Sequence, residues 1–344
     1  MGLIRVGIIN VTGYAGAELA RLLYLHPEAE VTSVSGRSAA GKPLAEVFPH
    51  LWPLDLKISS ELDEVDFVFS ALPHGASAEA VVPLVRKGLP VVDISADFRL
   101  SDAAEYQRWY GVTHPAPELL PKAVYGLAEL NRPAVREARL VANPGCYPTG
   151  ALLALAPAVK GGIIEPDIVI DAKSGISGAG RSLGLSYHYA EANESVAAYA
   201  MEGHRHLPEI AQELGRLWSK AEASLRVTFQ PHLVPMTRGI LTTCYAPVAD
   251  GRALTKAGVH ALYEDFYKDD PFVRVTAEPP QTKHTWGNNL CLIYPMVDRR
   301  ADRLVVVSCI DNLVKGAAGQ AIQNMNLMLG FPEAAGLDLP AVYP

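Results

Sequence analysis

The first two dozen residues constrain the fold most. Residues 4–9 are a short apolar run of strand type, Asn10-Val11-Thr12-Gly13-Tyr14-Ala15-Gly16 is a turn, and 17–25 has helical apolar spacing. Strand, glycine turn and helix together make the phosphate-binding corner of an open parallel α/β sheet. Gly13 and Gly16 let backbone N–H groups approach a pyrophosphate, and the helix N-terminus favours its charge. Thr12, Gly13, Tyr14, Ala15 and Gly16 are therefore the candidate cofactor cradle. The usual first glycine is replaced by Asn10, a residue that tolerates left-handed backbone angles. An ordinary tight turn could use the same residues, so the corner needs support from the neighbouring strands.

Residues 30–34 form a second strand run, ending in Ser35-Gly36-Arg37-Ser38. An acid at this place grips the ribose 2′-hydroxyl of NAD; here a guanidinium with Ser35 and Ser38 beside it suits a 2′-phosphate, so NADP is expected. Residues 66–72 are a third strand, followed by Pro73-His74-Gly75 and a helix over 76–87. Loops at strand C-termini face the ligand in such sheets, so Pro73 and His74 join the cofactor set. Residues 91–100 run from a strand into a charged loop in which an Asp97–Arg99 ion pair is the safer expectation.

A second centre lies in Val141-Ala142-Asn143-Pro144-Gly145-Cys146-Tyr147-Pro148-Thr149-Gly150. The apolar run 140–142 stops at Asn-Pro-Gly, where Pro144 pushes Asn143 out of helical space and Gly145 permits a tight turn. Residues 151–159 read as a helix opened by Thr149. Cys146 thus sits near a helix N-terminus, where backbone potential favours a thiolate; the alternative is a buried structural cysteine. Further on, Lys173-Ser174-Gly175-Ile176-Ser177-Gly178-Ala179-Gly180-Arg181 can wrap an anion with backbone N–H groups. In Gly203-His204-Arg205-His206, one histidine suits proton transfer near neutral pH and Arg205 suits an anionic group. His206 is favoured for the proton, with His204 close behind. Residues 225–234, 239–248, 272–276, 290–297 and 304–310 are β-rich runs with one clear helix, 259–266, among them. They imply an α+β second domain with a mostly antiparallel sheet.

The bulk numbers bound the class. A chain of 344 residues suggests two domains, and 49% apolar against 19% charged residues allows a large core. A net charge of −7 with no basic block argues against nucleic acid as a partner. The four cysteines, Cys146, Cys244, Cys291 and Cys309, lack zinc-ligand spacing, so no metal is expected. No apolar run approaches a membrane span and no signal peptide is evident, so a cytoplasmic chain is expected.

Asn-Pro-Gly-Cys-Tyr-Pro-Thr resembles the nucleophile motif of the N-acetyl-gamma-glutamyl-phosphate reductases, the arginine-pathway branch of the semialdehyde dehydrogenase family. Similar motifs run from Gly13 to Glu333: Ala71-Leu72-Pro73-His74-Gly75, the 91–100 loop, Ser174 to Arg181, His204-Arg205-His206-Leu207-Pro208-Glu209-Ile210, Arg238-Gly239, and Asp311 to Gln320. The resemblance implies a Rossmann-type dinucleotide-binding domain, 1–145 and 312–344, and a catalytic and oligomerisation domain, 146–311. It implies NADPH-dependent reduction of an acyl phosphate through a thioester on Cys146, with a homodimer or homotetramer. It places Ser177, Gly178 and Ala179 at the nicotinamide end, Asn312 and Lys315 on the cofactor, and Asn143, Arg181, Arg205 and Arg238 on the substrate. Reduction of a one-carbon-longer aminoadipyl phosphate and a non-catalytic NADP-sensing regulator are the rival expectations.

Overall fold

A computed structural model describes residues 2–218 and 225–344. The chain divides into two compact units, Met1–Gly145 with Ala317–Leu339, and Cys146–Gly316 with Pro340–Pro344.

The first unit is built on β1 (Ile4–Ile9), α1 (Tyr14–Leu23), β2 (Ala29–Ser35), the short α2 (Leu44–Val47), β3 (Ile58–Ser59), β4 (Phe67–Ser70), α3 (Ala76–Arg86), β5 (Val91–Asp93), α4 (Ala103–Tyr110), β6 (Val124–Tyr125), α5 (Ala128–Glu137) and β7 (Leu140–Ala142). Its sheet runs β3-β2-β1-β4-β5-β7-β6, and every pairing in it is parallel. Strand order reverses beside β1, so the crevice between the C-terminal ends of β1 and β4 is where such a sheet takes a ligand. The strands are buried runs rather than alternating ones, as helices on both faces require: Phe67, Val68, Phe69, Val91 and Val92 are all fully buried. The chain's final helix, Gly319–Leu329, closes this unit from far along the sequence. Asn324 Nδ2 donates to Gly126 O at 2.8 Å and to Asn143 Oδ1 at 3.1 Å, and Gln323 Nε2 donates to Glu129 Oε1 at 3.0 Å. Arg132 Nε meets Glu333 Oε2 at 2.7 Å.

The second unit contains α6 (Cys146–Lys160), β8 (Asp167–Ser174), α7 (Tyr189–Ala192), β9 (Ala197–Ala198), α8 (Leu207–Leu217), β10 (Arg226–Leu233), β11 (Ile240–Pro247), α9 (Lys256–Phe266), β12 (Val273–Val275), β13 (Cys291–Asp298) and β14 (Arg303–Ile310). The sheet order is β12-β13-β14-β11-β8-β10-β9. Four of its pairings are antiparallel, and β8–β10 and β12–β13 are parallel, so the mostly antiparallel expectation holds for a mixed sheet. β8 alternates strictly: Ile168, Ile170, Ala172 and Ser174 are buried while Asp167, Val169, Asp171 and Lys173 are half-exposed. α6 packs on β11, β13 and β14 and is buried along every residue from Tyr147 to Val159. A helix apolar all round can only be a core helix.

Candidate functional site

At the end of β1 the backbone turns through Asn10, whose φ is 63°. Glycine normally supplies that left-handed conformation. Asn10 also uses its side chain: Nδ2 donates to Ala71 O, at the end of β4, at 2.8 Å, and Oδ1 accepts from Thr12 Oγ1 at 3.2 Å. The substitution therefore keeps the turn and ties together the two strand ends flanking the crevice. Gly16 is sterically required, because a Cβ there would lie 2.5 Å from Asn10 O and 2.7 Å from Val11 Cα. At Gly13 a Cβ would meet nothing nearer than 3.6 Å, so the corner is open where a pyrophosphate would approach. α1 has Gly13 at its N-cap, no side-chain cap, and no acidic residue in its first turn. Its N–H groups and positive end are thus unopposed by a local carboxylate, and the residues present fit a dinucleotide phosphate.

The loop after β2 stands beside this corner. A Cβ on Gly36 would lie 2.8 Å from Thr12 Cγ2, so the two turns touch. Ser35 is buried, whereas Arg37 and Ser38 are exposed at the start of the next turn. Pro73 and His74 follow β4 and are exposed, with the His74 ring 5.4 Å from that of Tyr110. The turn behind them is held from inside. Asp97 accepts from Gly75 N at 2.8 and 3.0 Å, from Ala78 N at 2.8 Å and from Tyr106 O–H at 2.8 Å. Arg99 donates to Asn143 O at 2.8 Å and Ile94 O at 2.7 Å. Asp97 and Arg99 thus fix this region through backbone groups, where the sequence suggested a mutual ion pair.

Asn143 is also internal. It is fully buried; its Nδ2 donates to Ala317 O at 3.1 Å, and its Oδ1 accepts from Asn324. Expected on the substrate, its side chain braces the strand end through these bonds.

In the second unit, α6 begins at Cys146 itself, three residues before the expected Thr149 opening. Pro148 lies in the first turn, where a missing N–H costs nothing. Cys146 is half-buried, while Cys244, Cys291 and Cys309 are buried. Burial pushes the Cys244 thiol well up and the Cys309 thiol up to about 12, which leaves both inert. Gly316, within a π-helical turn (Val314–Ala318), lies against the nucleophile candidate: a Cβ there would sit 2.8 Å from Cys146 Cβ. Sequence reasoning misses this glycine, since only the fold brings it to the cysteine.

Tyr147 carries the histidines. Its ring lies 5.6 Å from His204 and 5.9 Å from His206, and the two imidazoles are 4.8 Å apart. His204 is also packed edge-on against Tyr199 and Phe229. Desolvation, with Arg205 adding to it, lowers His204 to about 4, so this ring is neutral at neutral pH. Its Nδ1 accepts the backbone N–H of His206 at 3.1 Å, which fixes where His206 sits at the head of α8. Tyr147 O–H and Tyr199 O–H are 3.0 Å apart.

The 174–181 loop packs on the 236–239 loop. A Cβ on Gly175 would lie 2.8 Å from Thr237 O, and Ser177 N donates to Thr237 O at 3.1 Å. Asn312 clamps the pair, accepting from Gly239 N at 2.7 Å and donating to Ser177 Oγ at 2.9 Å. Arg238 Nη1 reaches Asp311 Oδ2 at 3.4 Å. Arg181 and Arg205 are exposed, as is Gly178, and Ala179 is half-buried. Asn312 and Lys315, expected on the cofactor, belong to the second unit, and Lys315 is fully buried with Nζ 5.7 Å from the Phe272 ring centre. Among the described residues, no group of three His, Cys, Asp or Glu could hold a metal, and no helix is long and apolar enough to cross a membrane.

Known proteins match this architecture along the whole chain. Residues 5–138 match the family model of the semialdehyde dehydrogenase NAD binding domain, and 146–312 that of the semialdehyde dehydrogenase dimerisation domain. The chain is 58% identical over 341 residues to an N-acetyl-gamma-glutamyl-phosphate reductase of Dehalococcoides mccartyi, with 99% of each chain covered. It is 50% identical to the protein of that name from Heliobacterium modesticaldum, covering 99% of this chain and 100% of the other. Among solved structures, aspartate semialdehyde dehydrogenase II of Vibrio cholerae, complexed with ASA, superposes with a TM-score of 0.72 at 16% identity, over 96% of this chain and 99% of that one. Aspartate semialdehyde dehydrogenase with NADP from Candida albicans gives a TM-score of 0.66 at 17% identity, over 95% and 99%. These two likenesses establish a shared fold.

Proposed function

The chain belongs to the semialdehyde dehydrogenase family and is an oxidoreductase; on that ground we propose that it reduces N-acetyl-gamma-glutamyl phosphate to N-acetyl-glutamate 5-semialdehyde with NADPH, in arginine biosynthesis. The observation that carries the reading is Cys146, the one half-buried cysteine, at the first residue of a helix and adjoining the tyrosine that bears both imidazoles. Its thiolate sulfur attacks the acyl carbon, the carbon–oxygen bond to phosphate breaks, and orthophosphate leaves a thioester on Cys146. The turn from Thr12 to Gly16 would hold NADPH, which would supply the hydride for reduction of the thioester carbonyl. The resulting hemithioacetal collapses, its carbon–sulfur bond breaking to release the aldehyde and the thiolate. Covalent capture divides one difficult displacement into two easier ones.

His206 is assigned the proton transfer that accompanies collapse, and His204 the positioning of His206. A ring held neutral down to about pH 4 is a poor acid at neutral pH, whereas its Nδ1 bond to the His206 backbone orients its neighbour. Arg205, Arg181 and Arg238 supply positive charge for the acyl phosphate and carboxylates. The backbone N–H groups of the 177–179 turn are assigned to the nicotinamide end. Thr12 to Gly16 hold the pyrophosphate, and Arg37 with Ser35 and Ser38 reads the 2′-phosphate. The dimerisation domain supports self-association as a homodimer or homotetramer. Expression in the cytoplasm suits a free catalytic thiol.

The test is the reverse reaction. Purified protein should oxidise N-acetyl-glutamate 5-semialdehyde only with both NADP and inorganic phosphate present. Turnover without phosphate, or a preference for the aminoadipyl homologue, would overturn the assignment.

A further inference from the structure

The peptide bond that follows Arg238 is held on both sides by side chains. The Arg238 carbonyl accepts from Trp286 Nε1 at 3.1 Å, and the Gly239 N–H in the same plane donates to Asn312 Oδ1 at 2.7 Å. Gly239 has a φ of 106°, and a Cβ there would lie 2.8 Å from Thr282 Cβ and 3.6 Å from Trp286 Nε1. The 282–287 turn therefore packs straight onto this peptide. The same turn also reaches the far end of the arginine. Gly287 N donates to Asp311 Oδ2 at 2.8 Å, and that oxygen lies 3.4 Å from Arg238 Nη1. Asp311 is fully buried, and its Oδ1 accepts from Leu313 N at 2.8 Å and Val314 N at 3.1 Å, so the carboxylate is fixed. A strap seats the turn in place: Val342 N donates to Trp286 O at 2.8 Å, and the Tyr343 ring lies 6.4 Å from that of His284.

We propose that Trp286 is a positioning residue: its indole N–H and the Gly287–Asp311 bond aim the Arg238 guanidinium at an anionic oxygen of the substrate, and residues 342–343 strap that turn in place. This rests on the reading of Arg238 as a substrate-binding group. An arginine side chain has much rotamer freedom to lose when it grips an anion. Fixing its backbone and setting a carboxylate beside its head removes part of that cost before the anion arrives. Tryptophan suits the task, because its N–H lies on the edge of a rigid plane and can only donate, so it ties a carbonyl to the turn that carries it. The 3.4 Å contact with Asp311 is longer than the ~2.7–2.9 Å of a tight charge-assisted bond. Asp311 thus orients the guanidinium by charge without drawing it into a close pair. Three segments far apart in sequence, 282–287, 311–312 and 342–343, converge on this one arginine. Packing alone gives no reason for that convergence.

The experiment measures Michaelis constants for N-acetyl-glutamate 5-semialdehyde, inorganic phosphate and NADP in the oxidative direction, in the full chain. Arg238→Ala identifies which of the two anions the arginine serves. Trp286→Phe keeps the aromatic plane and loses the N–H. It should raise the constant for that same anion roughly 3- to 10-fold, the worth of one hydrogen bond, and leave the constant for NADP within about 2-fold. In an Arg238→Ala background Trp286→Phe should add almost nothing, since a residue that acts through another is not additive with it. The strap is read with Trp286 in place: Val342→Pro removes its N–H donor and should raise the same constant to a smaller extent, whereas Val342→Ala keeps the donor and should not. Unchanged constants for both anions in Arg238→Ala would remove the reading of Arg238 itself. If Arg238→Ala raises one of them and Trp286→Phe does not, or if the two substitutions add in full, or if the NADP constant moves equally, Trp286 does not position the arginine. Equal effects of Val342→Pro and Val342→Ala would overturn the strap.

Discussion

Cys146, His206 and Arg37 each make a separable prediction. Serine in place of Cys146 keeps the shape but ionises far less readily, so turnover should be lost while NADP still binds. A Cys146→Ser variant retaining more than about a tenth of the wild-type rate, a barrier change under ~1.4 kcal/mol, would refute the thioester route. His206→Asn should slow single-turnover chemistry by ~10²–10⁴-fold and remove one limb of its pH profile. His204→Asn should keep that limb, because His204 is held neutral by burial, and should weaken activity only through the placement of His206. The reverse pattern would exchange the two assignments. Arg37→Ala should raise the Michaelis constant for NADPH far more than for NADH; equal effects would show that Arg37 does not read the 2′-phosphate. Residue type and turn context are enough to single out Cys146 and the His-Arg-His group. They cannot reveal that His204 lies among Tyr147, Tyr199 and Phe229, because those rings arrive from three different parts of the chain. Nor can they show that the Asn143 amide faces Ala317 and Asn324, nearly two hundred residues later.

α6 shows how far periodicity reaches among the elements. A helix buried on all sides carries no polar face to mark its phase, so the sequence pattern puts its start late, at Thr149 rather than Cys146. The parallel sheet is legible because its strands are followed by a glycine or proline turn and a helix. The pairing of β8 with β10 is not, because register across more than fifty residues leaves no local trace. The π-helical turn before the final helix is equally silent in sequence, yet it brings Gly316 against Cys146. Gly316→Ala would set a methyl group 2.8 Å from Cys146 Cβ. The turn or the head of α6 must then move, at a cost of roughly 1–3 kcal/mol in stability. Displacing a nucleophile by an ångström can cost ~10²-fold in rate, so turnover within ~2-fold of wild type would rule out this steric role.

The whole molecule carries two opposed responses to acid. Burial, then the neighbouring Asp97, pushes Asp93 up to about 6, against the pull of the Ser77 and Ser95 hydroxyls. Its contribution to stability is fully present below the unfolded value of 3.8 and is lost as pH rises through about 6. His204, lowered from 6.5 to about 4, does the opposite: it contributes above 6.5 and loses that as pH falls through about 4. Each effect is worth roughly 3 kcal/mol. Burial also lowers His26 and His114, which therefore act in the same direction as His204. Acidification from pH 7 to about 4.5 should weaken protection around α8 while Asp93 supports protection around β5. Hydrogen exchange on peptides from each region checks this, and His204→Asn should lose less around α8; an equal loss would place the acid response elsewhere. The parallel-sheet half of the molecule also has a timetable. Residues 1–145 carry every strand of that sheet, but the partners of Gly126, Glu129, Arg132 and Asn143 lie in 317–339. A ribosome adding ~5–20 residues per second needs about 10–40 s to travel from one to the other. The nucleotide half, made first, must therefore be finished last. Throughout that interval its open flank is exposed to chaperones, proteases and neighbouring nascent chains, and a stop codon just ahead of the final helix damages the part of the protein translated earliest.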